Sequence, residues 1–148
     1  MGGHNHLCLH ASCITLEGRG LLIRGASGSG KSALALALMA WGAVLVADDR
    51  VLVTLEQGDL IARAPAATGG LIEARGLGIL QADRCPQAVI CAVVDMDRPE
   101  TERLPPIRTV EILGQRVTLL HRFDTAYLAP ALLQYLKRGR RNPDAGTQ

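Results

Sequence analysis

The sequence predicts a mixed α/β domain of largely β character, in which one strand feeds a glycine-rich loop that opens a helix. Three observations predict it. Short apolar runs bounded by Gly, Pro and Asp outnumber the helical stretches. The segment Gly25-Ala26-Ser27-Gly28-Ser29-Gly30-Lys31-Ser32 lies between one such run and an Ala- and Leu-rich stretch, and the chain carries no internal repeat.

In chain order, Cys13 to Arg24 holds a short apolar stretch, a turn at Glu17-Gly18-Arg19-Gly20 and a second apolar run, Leu21 to Ile23, as two strands joined by a tight turn require. The second strand delivers the chain into Gly25. Ser32 to Trp41 is built from strong helix formers, and Gly42 supplies the stop. Ala43 to Ala47 reads as a buried strand whose end carries Asp48 and Asp49. Val51 to Leu55 and Leu60 to Arg63 form a hairpin across Gln57-Gly58-Asp59. Ala88 to Val94 is a further buried strand, followed by an exposed, proline-bearing loop from Asp95 to Pro106. Val110 to Ile112 and Val117 to Leu120 pair around Gly114, and Thr125 to Arg138 forms the last helix, where Pro130 marks a break or a first turn. Residues 1–138 are read as one domain and 139–148 as a polar, disordered tail.

At 148 residues, with 48% hydrophobic residues and a net charge of +2, the chain has the size and content for one ordinary core. Aromatics at 3% leave no platform for stacking bases, so nucleic acid is not expected as a partner. Lys137, Arg138, Arg140 and Arg141 read as an electrostatic patch or as a solvated helix end. Cys8, Cys13, Cys85 and Cys91 form no CxxC pair and read as buried thiols of a reducing cytosol. No run reaches the roughly 18 residues that span a bilayer, and no signal-peptide pattern opens the chain, so the expected location is cytoplasmic, away from membranes. His4, His6, Cys8 and His10 alternate as strand neighbours do, but with no second ligand cluster they are not read as a metal site.

Gly25 to Ser32 satisfies the whole pattern Gly-x-x-x-x-Gly-Lys-Ser between a strand and a helix. Phosphate oxygens need a concave row of backbone N–H donors, which glycines permit because no Cβ blocks the approach. Lys31 neutralises the β and γ phosphates, and the Ser32 hydroxyl joins a Mg²⁺ shell. The loop still lacks a carboxylate. Asp48-Asp49 follows the loop helix directly, so a βαβ crossover places its strand beside the first strand of that unit, with the acids at the edge that carries the loop. Asp95 reads instead as a strand-end cap. Glu73-Ala74-Arg75-Gly76-Leu77-Gly78 adds a carboxylate and a guanidinium suited to metal and phosphoryl groups.

The loop, Val46-Ala47-Asp48-Asp49 and Glu73-Ala74-Arg75-Gly76-Leu77-Gly78, in this order and spacing, together resemble the C-terminal catalytic domain of the HPr kinase/phosphorylase family. His10 stands fifteen residues before the loop, where that family carries a functional histidine in its first catalytic-domain strand. The resemblance covers residues 10–80. It implies a phosphoenolpyruvate-carboxykinase-like mixed sheet and ATP-dependent phosphorylation of a seryl residue on an HPr-like phosphocarrier. It further implies Asp48 as catalytic base, His10 near the same phosphate and hydrogen-bonded to Asp48, and Lys31 on the phosphate charge. Ser32 and Glu73 would hold Mg²⁺, with Asp49 and Arg75 supporting the metal and phosphate positions, and the family's hexamer implies a homo-oligomer. Two departures accompany it. The sequence looks like a short form without the family's N-terminal domain, and Gly114 to Arg122 lacks the late Pro- and Arg-rich signature tied to phosphorolysis. A kinase without the reverse reaction, acting on a phosphocarrier of a nitrogen-related or regulatory relay, is therefore expected. The rival readings are a small-metabolite kinase, whose lid would use Arg98, Arg103 and Arg108, and a non-catalytic ATP sensor signalling through the basic C-terminus.

Overall fold

The structure, a computed structural model, describes residues 5–142. Its elements are β1 (His6–Leu9), β2 (Ala11–Leu16), β3 (Arg19–Arg24), α1 (Lys31–Ala40), β4 (Val44–Ala47), β5 (Val51–Glu56), β6 (Asp59–Arg63), β7 (Leu71–Ala74), β8 (Gly78–Gln81), β9 (Ala88–Pro99), β10 (Arg108–Ile112), β11 (Gln115–Arg122) and α2 (Leu128–Arg138). Nine strands form one sheet in the order β1-β5-β6-β9-β3-β2-β4, with the β10–β11 hairpin attached to β9 through β11, while β7 and β8 pair apart. This is the mixed, largely β architecture that the sequence predicts.

Three of the antiparallel hairpins turn on two residues, Glu17-Gly18, Gln57-Gly58 and Leu113-Gly114, with positive φ at both. That turn matches the twist of paired strands, and glycine removes the steric cost at its second position.

Strand alternation builds a core on each face of the sheet. Ile14, Leu21, Ile23, Leu45 and Val94 point to the side of α1 and α2, whereas Cys13, Leu22, Val46 and Val93 point to a second core closed by β5, β6, β10 and β11. Each fully buried aliphatic side chain contributes roughly 1.5–3 kcal/mol. The final helix buries Ala129, Leu132, Leu133 and Leu136, a helical stripe. Arg19 Nη1 donates to the carbonyls of Leu136 (2.7 Å) and Lys137 (2.6 Å), satisfying acceptors that the helix end leaves open. Pro130 sits in the first turn, where no intrahelical donor is required of it.

Several expectations need correction. The strand bearing Asp48 and Asp49 pairs antiparallel with β2, not beside β3, because the local β2–β3 hairpin occupies that edge of β3 and β9 the other. The crossover therefore passes over β2, and β4 still runs parallel to β3. The exposed loop expected from Asp95 begins later, since β11 lies parallel to β9 and supplies partners as far as Pro99. Asp95 is thus a buried residue within a strand. The last helix starts at Leu128 rather than Thr125. The β7–β8 hairpin adds two strands to those the sequence predicts, and His6–Leu9 adds an edge strand to β5. Of the four cysteines only Cys13 is buried, and burial, aided by Cys85 and Cys91, pushes its thiol up to about 12; Cys8 and Cys91 are exposed. His4 lies outside the described residues, among which no three or more His, Cys, Asp and Glu side chains gather as a metal-binding group.

Candidate active site

Because β3, β9 and β11 run parallel, and β4 runs parallel to β3 across β2, their C-terminal ends meet at one sheet edge. Ligand sites of open α/β sheets form at such an edge. The loop leaves β3 at Gly25, whose φ of 152° and close neighbours exclude a side chain: a Cβ there would lie 2.6 Å from Ser29 Oγ. Gly30, at φ 100°, delivers the chain into α1. The first turn of α1 holds no acidic residue, so its N–H groups and positive dipole end are open to an anion. Lys31 is buried and donates from Nζ to Gly25 O (2.8 Å) and Ala26 O (3.0 Å). The ammonium is thereby stored on the loop that it would serve.

The two aspartates occupy different surroundings. Asp48 is 7% exposed, and its Oδ1 accepts from Ser12 Oγ and Ser32 Oγ, both at 2.7 Å, while Oδ2 accepts from the Glu73 amide at 3.2 Å. Asp49 is exposed and takes His10 Nε2 at 2.7 Å on Oδ1. The histidine therefore bonds Asp49, not Asp48 as the resemblance implied, and it stands in the bend between β1 and β2 rather than inside a strand. Asp49 has φ 69°, with the Arg50 N–H donating to Asp48 O at 2.8 Å. This is a γ-turn of the rare, strained hand, a conformation that concentrates at functional sites.

A cleft of about 410 Å³ lies between the loop and the β7–β8 hairpin. Ser27, Gly28, Gly30, Lys31 and Ser32 form one wall. Glu73 and Arg75 on the hairpin form another, and His10 and Asp49 close the end. Gly25, Ala26 and Ser29 of the loop, and Asp48 bonded to Ser32, do not line the cavity, whereas the other anticipated residues do. The hairpin is fixed by Ile72, which is buried in the helix-side core, and by the Glu73 amide on Asp48.

Sequence reasoning missed Ser12 and Asp97 and took Asp95 for a strand-end cap. A fully buried hydroxyl inside Ala11–Leu16 signals a required partner, and Ser12 finds it in Asp48. Asp95 is paired with Arg24 across β3 and β9 (3.2 Å). Asp97 reaches the loop itself, accepting from the Ala26 N–H at 2.9 Å and 3.1 Å.

The strand–loop–helix carries the whole pattern Gly-x-x-x-x-Gly-Lys-Ser, with a buried carboxylate on the hydroxyl that follows the lysine, and so has the form of a phosphate-binding loop. More narrowly, the chain belongs to the family described as HPr Serine kinase C-terminal domain, whose model matches residues 4–86. The HPr kinase/phosphorylase of Clostridium perfringens (strain 13 / Type A) is 47% identical over 72 residues, 49% of this chain and 24% of that relative. The HPr kinase/phosphorylase of Mycoplasmopsis pulmonis (strain UAB CTIP) is 44% identical over 72 residues, 49% of this chain and 23% of the relative. The match thus spans about a quarter of the length of these curated relatives. The solved Hpr(Ser) kinase/phosphatase from Coxiella burnetii superposes with a TM-score of 0.76 at 28% identity, covering 89% of this chain and 88% of that one. Among the described residues, no helix is long and apolar enough to cross a membrane.

Proposed function

We propose that the chain is an ATP-dependent serine kinase that transfers the γ-phosphoryl group to a seryl hydroxyl of an HPr-like phosphocarrier protein. The observation that carries this reading is the meeting, in one cleft, of the Lys31 loop, the Ser32–Asp48 contact and the His10–Asp49 pair. The relatives' names supply the substrate class.

In this reading the loop amides and Lys31 hold the β and γ phosphates, and Arg75 approaches them from the hairpin. For Mg²⁺ the donor set fits. Ser32 Oγ and the Glu73 carboxylate are hard oxygen donors on opposite walls of the cleft, and Asp48, by accepting the Ser32 proton, leaves the lone pairs of that hydroxyl for the ion. The ion supplies neutralisation of the triphosphate charge when bound. The seryl oxygen forms its bond to phosphorus as the bond to the ADP oxygen breaks, and the seryl proton passes to a carboxylate.

We assign that proton to Asp49, oriented by His10, and leave Asp48 to fix the Ser32 hydroxyl on the metal side. This reverses the roles that the resemblance implied. Two facts support the reversal: Asp49 faces the cleft whereas Asp48 does not, and the acceptor oxygens of Asp48 already carry three hydrogen bonds. The small-metabolite alternative gains nothing, because Arg98 and Arg108 of its supposed lid lie on Asp95 and on Glu100 and Glu102.

Incubation with radiolabelled ATP, Mg²⁺ and candidate HPr-like proteins tests the reading. Label on a serine of one carrier is the expected result. Label on none, with the carriers shown to be folded, removes it.

A further inference from the structure

The Gly25–Ala26 peptide unit is gripped at both ends. Its carbonyl, Gly25 O, accepts from Lys31 Nζ at 2.8 Å, and its N–H, on Ala26, points at both carboxylate oxygens of Asp97. The two grips differ in permanence. If phosphate enters the cleft, Lys31 must turn from Gly25 O and Ala26 O toward the anion, so its grip is exchanged for the ligand. Asp97 has no such competing duty, since it does not line the cleft.

Asp97 is in turn held from behind. Asp95 Oδ1 accepts from the Asp97 N–H at 2.9 Å, and Asp95 Oδ2 accepts from Arg24 Nε and Nη2 at 3.3 Å and 3.2 Å. Arg24 is the last residue of β3, directly before the loop, and Arg122 Nη1 donates to Met96 O at 2.8 Å from the neighbouring strand. The three residues Asp95, Met96 and Asp97 are therefore clamped between the ends of β3 and β11. All lie beyond residues 4–86, where the family model matches.

We infer that Asp97 is a positioning residue for the phosphate loop: it holds the Gly25–Ala26 peptide in place while Lys31 moves to the phosphates, keeping the loop preformed. The inference rests on the reading of the cleft as a nucleotide site. A hydrogen bond to a carboxylate is stronger than one between neutral groups, and rigid loops bind with less ordering cost.

The test compares wild type, Asp97→Ala and Asp97→Asn, the last retaining one acceptor oxygen. In the ligand-free proteins, amide exchange by NMR should show Ala26 accelerated in Asp97→Ala while Leu22 and Ile23 are unchanged. By calorimetry, Asp97→Ala should bind Mg·ATP about tenfold more weakly, and Asp97→Asn should recover to within about threefold of wild type, with similar unfolding midpoints throughout. Unchanged Ala26 exchange, or wild-type ATP affinity in Asp97→Ala, overturns the inference. A wild type that binds no Mg·ATP overturns the nucleotide reading and this role with it, whereas the exchange data still report whether the anchor exists.

Discussion

Replacing Asp48 and Asp49 separately by Asn distinguishes a carboxylate that holds the metal side of the site from one that takes the proton. The structure sets the magnitudes. Asp48 accepts two hydroxyls on Oδ1 and an amide N–H on Oδ2, all in buried or half-buried surroundings. An asparagine has one acceptor oxygen; kept on the Glu73 N–H, it turns its NH₂ to the two seryl hydroxyls, which must then accept instead of donate, and the loss of their hydrogen bonds to a charged carboxylate costs about 1–3 kcal/mol. For a domain of this length that corresponds to an unfolding midpoint lower by about 5 °C. Asp49 is exposed and loses only its bond to His10, so its midpoint should stay within about 2 °C of wild type. Catalysis should divide the other way. Asp49→Asn keeps Mg·ATP affinity while single-turnover transfer to a carrier falls by a factor of about 10² to 10⁴. Asp48→Asn loses affinity and transfer together, because Ser32 is no longer held. Calorimetry, thermal melts and quenched-flow transfer measure the three quantities. Intact Mg·ATP affinity with collapsed transfer in Asp48→Asn, beside near-normal transfer in Asp49→Asn, would refute the assignment and make Asp48 the base.

Lys31→Ala should leave a folded protein by circular dichroism but raise the Kd for Mg·ATP at least about tenfold and abolish transfer; unchanged affinity would contradict the loop's role. Inorganic phosphate should not strip phosphate from the phosphoseryl carrier at a rate comparable with forward transfer, and rapid pyrophosphate formation would show otherwise. Burial works to raise the Glu100 carboxyl, but the Glu102 amide, the Arg108 guanidinium and the Thr101 amide outweigh it and hold it below its ordinary 4.5. A depressed carboxyl stabilises the fold above its unfolded pKa and loses that contribution as pH falls through the lower folded value. Denaturant midpoints taken from neutral pH to about pH 3 should therefore decline less in Glu100→Gln than in wild type, and parallel declines would exclude Glu100 as a source of the acid sensitivity.

The parts of the site legible in the sequence were those encoded within a few residues. Gly25 to Ser32 announces itself because closely spaced glycines, a lysine and a serine between a strand and a helix have few other uses. The acids at Asp48 and Asp49 were legible because an apolar run ending in two carboxylates has to bring them out at a sheet edge. Strand order was not, since the position of β4 depends on β2 already occupying the edge of β3, and both pairings of β2 are tertiary. Nor was the β7–β8 hairpin, whose four-residue strands carry too little apolar pattern to stand out from a loop. Asp97 was hidden more deeply: its partner is a backbone N–H seventy-one residues earlier, and no side-chain pattern records that contact.

The fold puts the neighbouring aspartates into opposite surroundings. Successive side chains leaving a strand point to opposite sides, so the edge of β4 must send one carboxylate inward and one outward. The inward one, Asp48, meets Ser12 from β2 and Ser32 from α1, two hydroxyls that together leave it little to offer an incoming group. The outward one is turned further by the γ-turn at φ 69°, and that turn places it against His10. Such a backbone costs on the order of 1–3 kcal/mol and persists only where the surroundings impose it. Here the imposing contacts are those of Asp48: its side chain is fixed by three donors, and its carbonyl accepts the Arg50 N–H that closes the turn. In the proposed site Asp48 thus serves twice, holding Ser32 with its carboxylate and closing the turn at Asp49 with its backbone carbonyl. The strained position belongs to the residue to which we assign the proton, and strain of this kind concentrates at functional sites.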